Sequence, residues 1–136
     1  MTFLEHFKKI ILISIIVLVI DLLWLSLFLG KYFGEMVSNI QGEPMVINKI
    51  QAFLSYICII LSIYYFIIIK DNNKMYLDSF LLGLFMYGIF EFTSSGIFKK
   101  WEILPLFIDT IWGGFLYLIT YSIYKKVYKI NQPLRH

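Results

Sequence analysis

Cysteine, proline, glycine and charged residues are all scarce in this sequence. Its 136 residues include one Cys, three Pro and eight Gly, which argues against a disulfide scaffold and a collagen-like fibre. Charged residues make up 15% of the chain, compared with roughly 25% in a soluble domain. Hydrophobic residues reach 60% and aromatic residues 19%, which argues against disorder and against a water-soluble fold. The composition therefore indicates a membrane protein, and the length suits one domain.

Four apolar segments are each long enough to cross a bilayer, which takes about 20 residues of helix. Because lipid offers no hydrogen-bond partners, each segment must satisfy its own backbone groups, which predicts helices. We expect the first to be retained, because its apolar run continues through Trp24 without a small-residue cleavage site. The predicted fold is an all-α integral membrane bundle of four transmembrane helices, one domain over residues 1–136. The spans cover residues 10–29, 50–69, 75–98 and 103–124, with an outer loop at 30–49 and a short C-terminal tail at 125–136.

Basic residues are distributed unevenly between the two ends of the predicted spans. Eight fall at one end, namely Lys8, Lys9, Lys70, Lys74, Lys125, Lys126, Lys129 and Arg135, and four at the other, namely Lys31, Lys49, Lys99 and Lys100. Because Lys and Arg are enriched on the cytoplasmic side of membranes, the asymmetry predicts an up-down-up-down bundle with both termini in the cytoplasm. The net charge of +3 is then a topology signal, and we expect no nucleic-acid partner.

Three carboxylates lie inside the predicted spans, where an Asp at mid-span costs roughly 2.5–3.5 kcal/mol. They are Asp21, Glu91 and Asp109. A rise of about 1.5 Å per residue places all three in one layer just outside the midplane, so they can converge inside the bundle. No Lys, Arg or His lies within a predicted span. Four ways of neutralising the acids remain: lysines that reach down from the outer rim, protonation, proton sharing, or a bound cation. No other cofactor is expected, and the sequence has no metal-binding motif.

Polar and aromatic side chains near the three acids form a candidate supporting shell, because several of them can donate hydrogen bonds to a carboxylate. The shell comprises Trp24, Gln51, Tyr87, Thr93, Ser94, Trp101 and Trp112. The alternative is that these polar groups only hold the helices together, for roughly 0.6 kcal/mol each. We favour a functional site, because three acids share one depth without a counter-charge in the spans.

Several short stretches of the sequence, taken in order, form a more specific pattern. They are Asp21-Leu22-Leu23-Trp24-Leu25, Gly83-Leu84-Phe85-Met86-Tyr87-Gly88, Glu91-Phe92-Thr93-Ser94, Trp101 and Asp109-Thr110-Ile111-Trp112-Gly113, with looser matches at 32–36 and 52–56. Over roughly residues 21–114 the chain resembles a family of small membrane proteins catalogued as domain-of-unknown-function family 2177. The resemblance implies that Asp21, Glu91, Thr93, Trp101, Asp109 and Trp112 belong to the common pattern, and it implies no activity.

The chain departs from that family at one acidic position. Where the family usually has Tyr-Asp-x-Thr-Asn, this sequence reads Phe90-Glu91-Phe92-Thr93-Ser94. The acid is kept but is one methylene longer, and the amide is replaced by a hydroxyl. Any metal geometry taken from the family therefore does not transfer directly.

Three hypotheses about function remain open. The first is a proton- or cation-coupled transporter or channel subunit; four spans make a narrow bundle, so a solute pathway would need a homo-oligomer. The second is a structural or accessory membrane protein that binds a partner helix. The third is an integral-membrane enzyme acting on a lipid, which is disfavoured because the sequence has no nucleophile motif or extended metal motif. In every case the lipid bilayer is a partner and the chain is an integral, multi-pass membrane protein.

Overall fold

The computed structural model describes residues 1–72 and 74–130, with side chains for all of these except 129 and 130. The described residues form five α-helices and no strand. The helices are α1 (Phe3–Trp24), α2 (Gly30–Gln41), α3 (Lys49–Ile63), α4 (Tyr76–Ile97) and α5 (Ile103–Ile130). The described part does not include residues 131–136 of the predicted tail, among them Arg135, or the side chain of Lys129.

Two π-helical segments join or extend these helices, so the chain runs as four long helical rods. Leu25–Leu29 links α1 to α2 without a break, and Tyr64–Ile68 prolongs α3. The rods, Phe3–Gln41, Lys49–Ile68, Tyr76–Ile97 and Ile103–Tyr128, are each long and apolar enough to span a membrane. The prediction of an all-α protein with four such helices is confirmed.

The first rod is longer than its predicted span of residues 10–29. A capping box at Thr2 and Glu5 starts the rod at α1. The rod ends only at Gly42, the C-cap of α2, whose φ of 78° is left-handed and suits glycine. Residues 30–41 of the expected outer loop are therefore helical, and the loop shrinks to residues 42–48. Gly30 permits this continuation, because a Cβ there would lie 2.4 Å from the Leu25 carbonyl oxygen of the π-helical turn.

Helix α2 packs against the turn between α4 and α5, which explains why it forms. Met36 is fully buried, and its Sδ lies 3.2 Å from the backbone nitrogen of Glu102. The Lys100 ammonium donates to the Asn39 carbonyl at 3.1 Å. These contacts across the bundle stabilise a helix whose glycines alone would favour a loop.

Helices α4 and α5 form the tightest pair in the bundle because glycines meet at their crossing. A Cβ added to Gly83 would lie 2.0 Å from the Gly113 carbonyl oxygen, and one added to Gly113 would lie 2.3 Å from Cγ of Tyr87. Small residues let helix backbones approach closely in a membrane, where packing rather than the hydrophobic effect drives association. This crossing sets the separation of the two helices that carry Glu91 and Asp109.

Buried apolar side chains fill the half of the bundle where α1 begins, whereas many large apolar side chains face outward. The buried cluster includes Ile13, Val17, Ile63, Leu116, Tyr117 and Tyr121. The outward-facing residues include Leu27, Phe53, Phe85, Ile89 and Leu104, each 60–71% exposed. An apolar surface of this kind is what a protein in contact with lipid needs.

The glycine crossing gives a direct test of the fold. Gly83→Ala forces a Cβ against the backbone of α5, so we expect it to lower the free energy of unfolding in detergent by about 1–3 kcal/mol. Gly96→Ala, in the same helix, is the matched control, because nothing lies within 4 Å of the Cβ it adds. Equal unfolding free energies for the two variants would contradict the packing described here.

Candidate functional site

The three predicted acids are buried inside the bundle. Asp21, Glu91 and Asp109 are 5%, 0% and 6% exposed, and they come from α1, α4 and α5. The Glu91 and Asp109 carboxyls are neighbours, and Asp21 lies within electrostatic range of Asp109. Asp109 thus interacts with both of the other acids.

Asp21 is held by two uncharged donors from different helices. The Trp112 Nε1–H group donates to Oδ1 at 2.9 Å, and the Tyr56 hydroxyl donates to Oδ2 at 2.8 Å. Both carboxylate oxygens are therefore satisfied without a positive charge. Because the donors lie on α5 and α3, the same carboxylate ties three helices together.

The two tryptophans next to Asp21 stack face to face. The ring centroids of Trp24 and Trp112 are 4.3 Å apart and the rings are inclined by 6°. The Trp112 N–H group donates to Asp21, whereas the buried Nε1 of Trp24 has no hydrogen-bond partner among the described residues. Trp24 therefore positions the ring that binds Asp21 and does not itself bind the carboxylate.

Glu91 is held by one donor only, which comes from the turn between α4 and α5. Nε1–H of Trp101, in the turn before α5, donates to Oε2 at 2.8 Å. The other oxygen, Oε1, is buried and has no hydrogen-bond partner in the described part of the chain. The Trp101 ring contacts Phe33 of α2 edge-on, with centroids 5.9 Å apart, so α2 covers the residue that binds Glu91.

The ion pairs of the described lysines lie at the ends of the bundle. Within residues 1–72 and 74–130 the ion pairs are Lys125–Asp71 at 2.7 Å and Lys31–Glu35 at 4.0 Å, and neither includes a buried acid of the site. A lysine reaching down to the acids was one of the predicted alternatives, and of the lysines at that end of the bundle Lys100 binds the Asn39 carbonyl. The described hydrogen bonds to Asp21 and Glu91 thus all come from neutral side chains.

A multidentate metal site is not assembled by the three acids. No group of three His, Cys, Asp or Glu side chains in the described residues converges closely enough to hold a metal ion. Hard cations such as Ca²⁺ take six or more oxygen ligands. Among the described residues, the acids alone therefore do not form such a site.

The predicted supporting shell is partly brought together. Trp101 and Trp112 bind acids, Trp24 stacks on Trp112, and Ser94 is buried one turn beyond Glu91. Tyr87 lies within electrostatic range of both Asp21 and Asp109.

Two predicted shell residues, Gln51 and Thr93, lie apart from the acids on exposed faces of α3 and α4. The sequence analysis missed one donor, Tyr56 of α3. Its only signal in the sequence was the loose family match at residues 52–56.

The paired tryptophans allow a matched test of the site. Trp112→Phe keeps the ring stack but leaves Oδ1 of Asp21 without its donor, so we expect it to lower the free energy of unfolding by about 1.5–3 kcal/mol. Trp24→Phe keeps the same stack and removes an N–H group that has no partner, so its cost should be clearly smaller. Chemical unfolding in detergent measures both, and an equal loss in the two variants would contradict the bond from Trp112 to Asp21.

Comparison with known proteins supports the resemblance seen in the sequence. A family model described as Predicted membrane protein (DUF2177) matches residues 6–124, which include every acid and tryptophan of the site. No curated protein and no solved structure matches the chain. With its four candidate spans, the protein is an integral, multi-pass membrane protein. On the evidence of this match, the chain belongs to the DUF2177 family of membrane proteins.

Proposed function

We propose that the Glu91–Asp109 pair binds and releases a proton and that the protein is a proton-coupled transporter or channel subunit. The observation that carries this proposal is the burial of the pair without any positively charged partner among the described residues. Two neighbouring carboxyls in a dry environment cannot both be ionised at low cost. A shared proton removes one charge and supplies a donor between them.

The unsatisfied oxygen of Glu91 supports the same assignment. A carboxyl group whose second oxygen has no donor is poorly suited to permanent ionisation, because a buried charge needs hydrogen bonds to be stable. One proton held by the pair therefore avoids a second buried charge. Intramembrane acids that load and unload protons are the usual relays of pumps and transporters.

An access route from the outer side is suggested by the contacts of Trp101. This side chain both binds Glu91 and packs beneath α2, which is joined to α1 by the π-helical segment Leu25–Leu29. Helix bends commonly occur at π-helical turns and at glycines such as Gly30. A tilt of α2 would uncover Trp101 and open the Glu91–Asp109 pair to outer water.

The orientation we infer places both termini in the cytoplasm, so that α2 and Trp101 face outward. Its support is the excess of lysines at the end where α1 begins. A solute larger than a proton would have to pass between copies of this narrow bundle, so the proposal includes a homo-oligomer.

The orientation can be tested with single cysteines in a Cys58→Ala background. A membrane-impermeant maleimide applied to intact cells should label Lys99→Cys, at the outer turn, and should leave Lys74→Cys unlabelled until the cells are lysed. Both positions are exposed, so accessibility within the protein is matched. Labelling of Lys74→Cys in intact cells would contradict the inferred orientation and indicate the opposite one.

Proton coupling can be tested in liposomes containing a pH-sensitive dye and an imposed membrane potential. We expect the wild type to carry a proton flux above that of empty liposomes, and Glu91→Gln or Asp109→Asn to reduce it at least about tenfold, as expected when a relay group is removed. Asp78→Asn is the control, because this acid lies exposed in the first turn of α4.

The outcomes separate the competing functions. Flux from the wild type equal to that of empty liposomes would contradict the transport proposal. If the Glu91→Gln variant then also fails to assemble, the accessory role with a partner helix is favoured instead.

A further inference from the structure

A cleft of about 320 Å³ opens between the beginning of α1 and the end of α5, far from the buried acids. We name it the α1–α5 cleft; its lining residues are Glu5, Lys8, Lys9, Leu12, Val127 and Tyr128. Neither the proton site nor its outer access route uses these residues. The lining combines cationic and apolar side chains, which complement the anionic headgroup and the apolar chains of a membrane lipid.

The rim of the cleft carries more positive than negative charge. Lys8 and Lys9 contribute two ammonium groups, and the Lys9 Nζ lies 4.9 Å from the centroid of the Tyr128 ring. The Glu5 carboxylate is directed to the start of the helix, where it accepts from the Thr2 backbone N–H at 2.8 Å. Neither lysine forms an ion pair within the described residues, so neither ammonium group is bound by a carboxylate there.

The apolar side of the cleft is formed by Leu12 and Val127. At the start of α1, on the other side of Lys8 and Lys9 along the helix, Phe3, Leu4 and Phe7 are 85%, 58% and 51% exposed. Exposed apolar side chains beside a lysine pair are typical of a helix end seated at the level of lipid headgroups. A bound lipid could therefore place its phosphate at the lysines and its acyl chain along Leu12.

We propose that the α1–α5 cleft binds an anionic phospholipid, with its phosphate between Lys8 and Lys9 and its acyl chain over the apolar floor. Basic pockets between transmembrane helices recognise lipid headgroups by the same combination of charge and shape. The bound lipid would join the ends of α1 and α5, which already meet through Lys9 and Tyr128. The proposal does not depend on proton transport.

Native mass spectrometry of the detergent-solubilised protein, titrated with phosphatidylglycerol or phosphatidylcholine, tests this site. We expect phosphatidylglycerol to bind more tightly, and Lys8→Gln/Lys9→Gln to weaken its binding about tenfold to thirtyfold, the loss expected for two lysines at an anionic surface. Lys31→Gln/Lys99→Gln removes the same charge from the other end of the bundle and should leave the Kd unchanged. Lys8→Arg/Lys9→Arg keeps both charges and should keep the Kd.

A second variant tests the floor of the cleft independently of its charge. Leu12→Trp fills the apolar space while keeping both lysines, and we expect it to weaken phosphatidylglycerol binding as well. Equal Kd values for the two lipids in the wild type, or an unchanged Kd in Lys8→Gln/Lys9→Gln, would overturn the proposal. Displacement of the lipid by inorganic phosphate at millimolar concentration would also overturn it, because the cleft would then be a site for free anions.

Discussion

The hydrocarbon layer offers no hydrogen-bond partners, so each buried polar atom of this protein must find its partner within the bundle. Asp21 meets that requirement through Trp112 and Tyr56, and Glu91 meets half of it through Trp101. The donors come from α3, from α5 and from the turn between α4 and α5. The bonds to Asp21 therefore tie α1, α3 and α5 together, and the site and the fold share these bonds.

Close packing and polar pairing act together in α4 and α5. The contact of Gly83 with Gly113 brings the two backbones so near that Tyr87 and Gly113 also touch. One turn further along each helix, this proximity sets Glu91 beside Asp109. The pair is left without a positive partner, since the described lysines that form ion pairs do so only at the ends of the bundle. We propose that a proton shared by Glu91 and Asp109 takes the place of a positive partner. The charge of the pair then changes when the proton binds or leaves.

The sequence allowed the number of spanning helices and the burial of the three acids to be predicted, because apolar length is a local property and a carboxylate exposed to lipid is costly. It did not allow the extent of the first helix to be predicted, because α2 depends on Met36 and Phe33 meeting a turn some 65 residues away. The sequence also did not show which residues of neighbouring helices face one another. For that reason Tyr56 was missed as a donor, whereas Gln51 was included although its side chain faces outward.

Infrared difference spectroscopy of the protein in lipid tests the central claim most directly, because protonated and ionised carboxyl groups absorb at different frequencies. We expect a protonated carboxyl band at neutral pH that is lost when the pH is raised. The band should be absent from Glu91→Gln/Asp109→Asn and retained in Asp78→Asn. A wild-type spectrum at neutral pH with only ionised carboxylates would contradict the shared proton. The charge of the site would then have to be balanced by a bound cation.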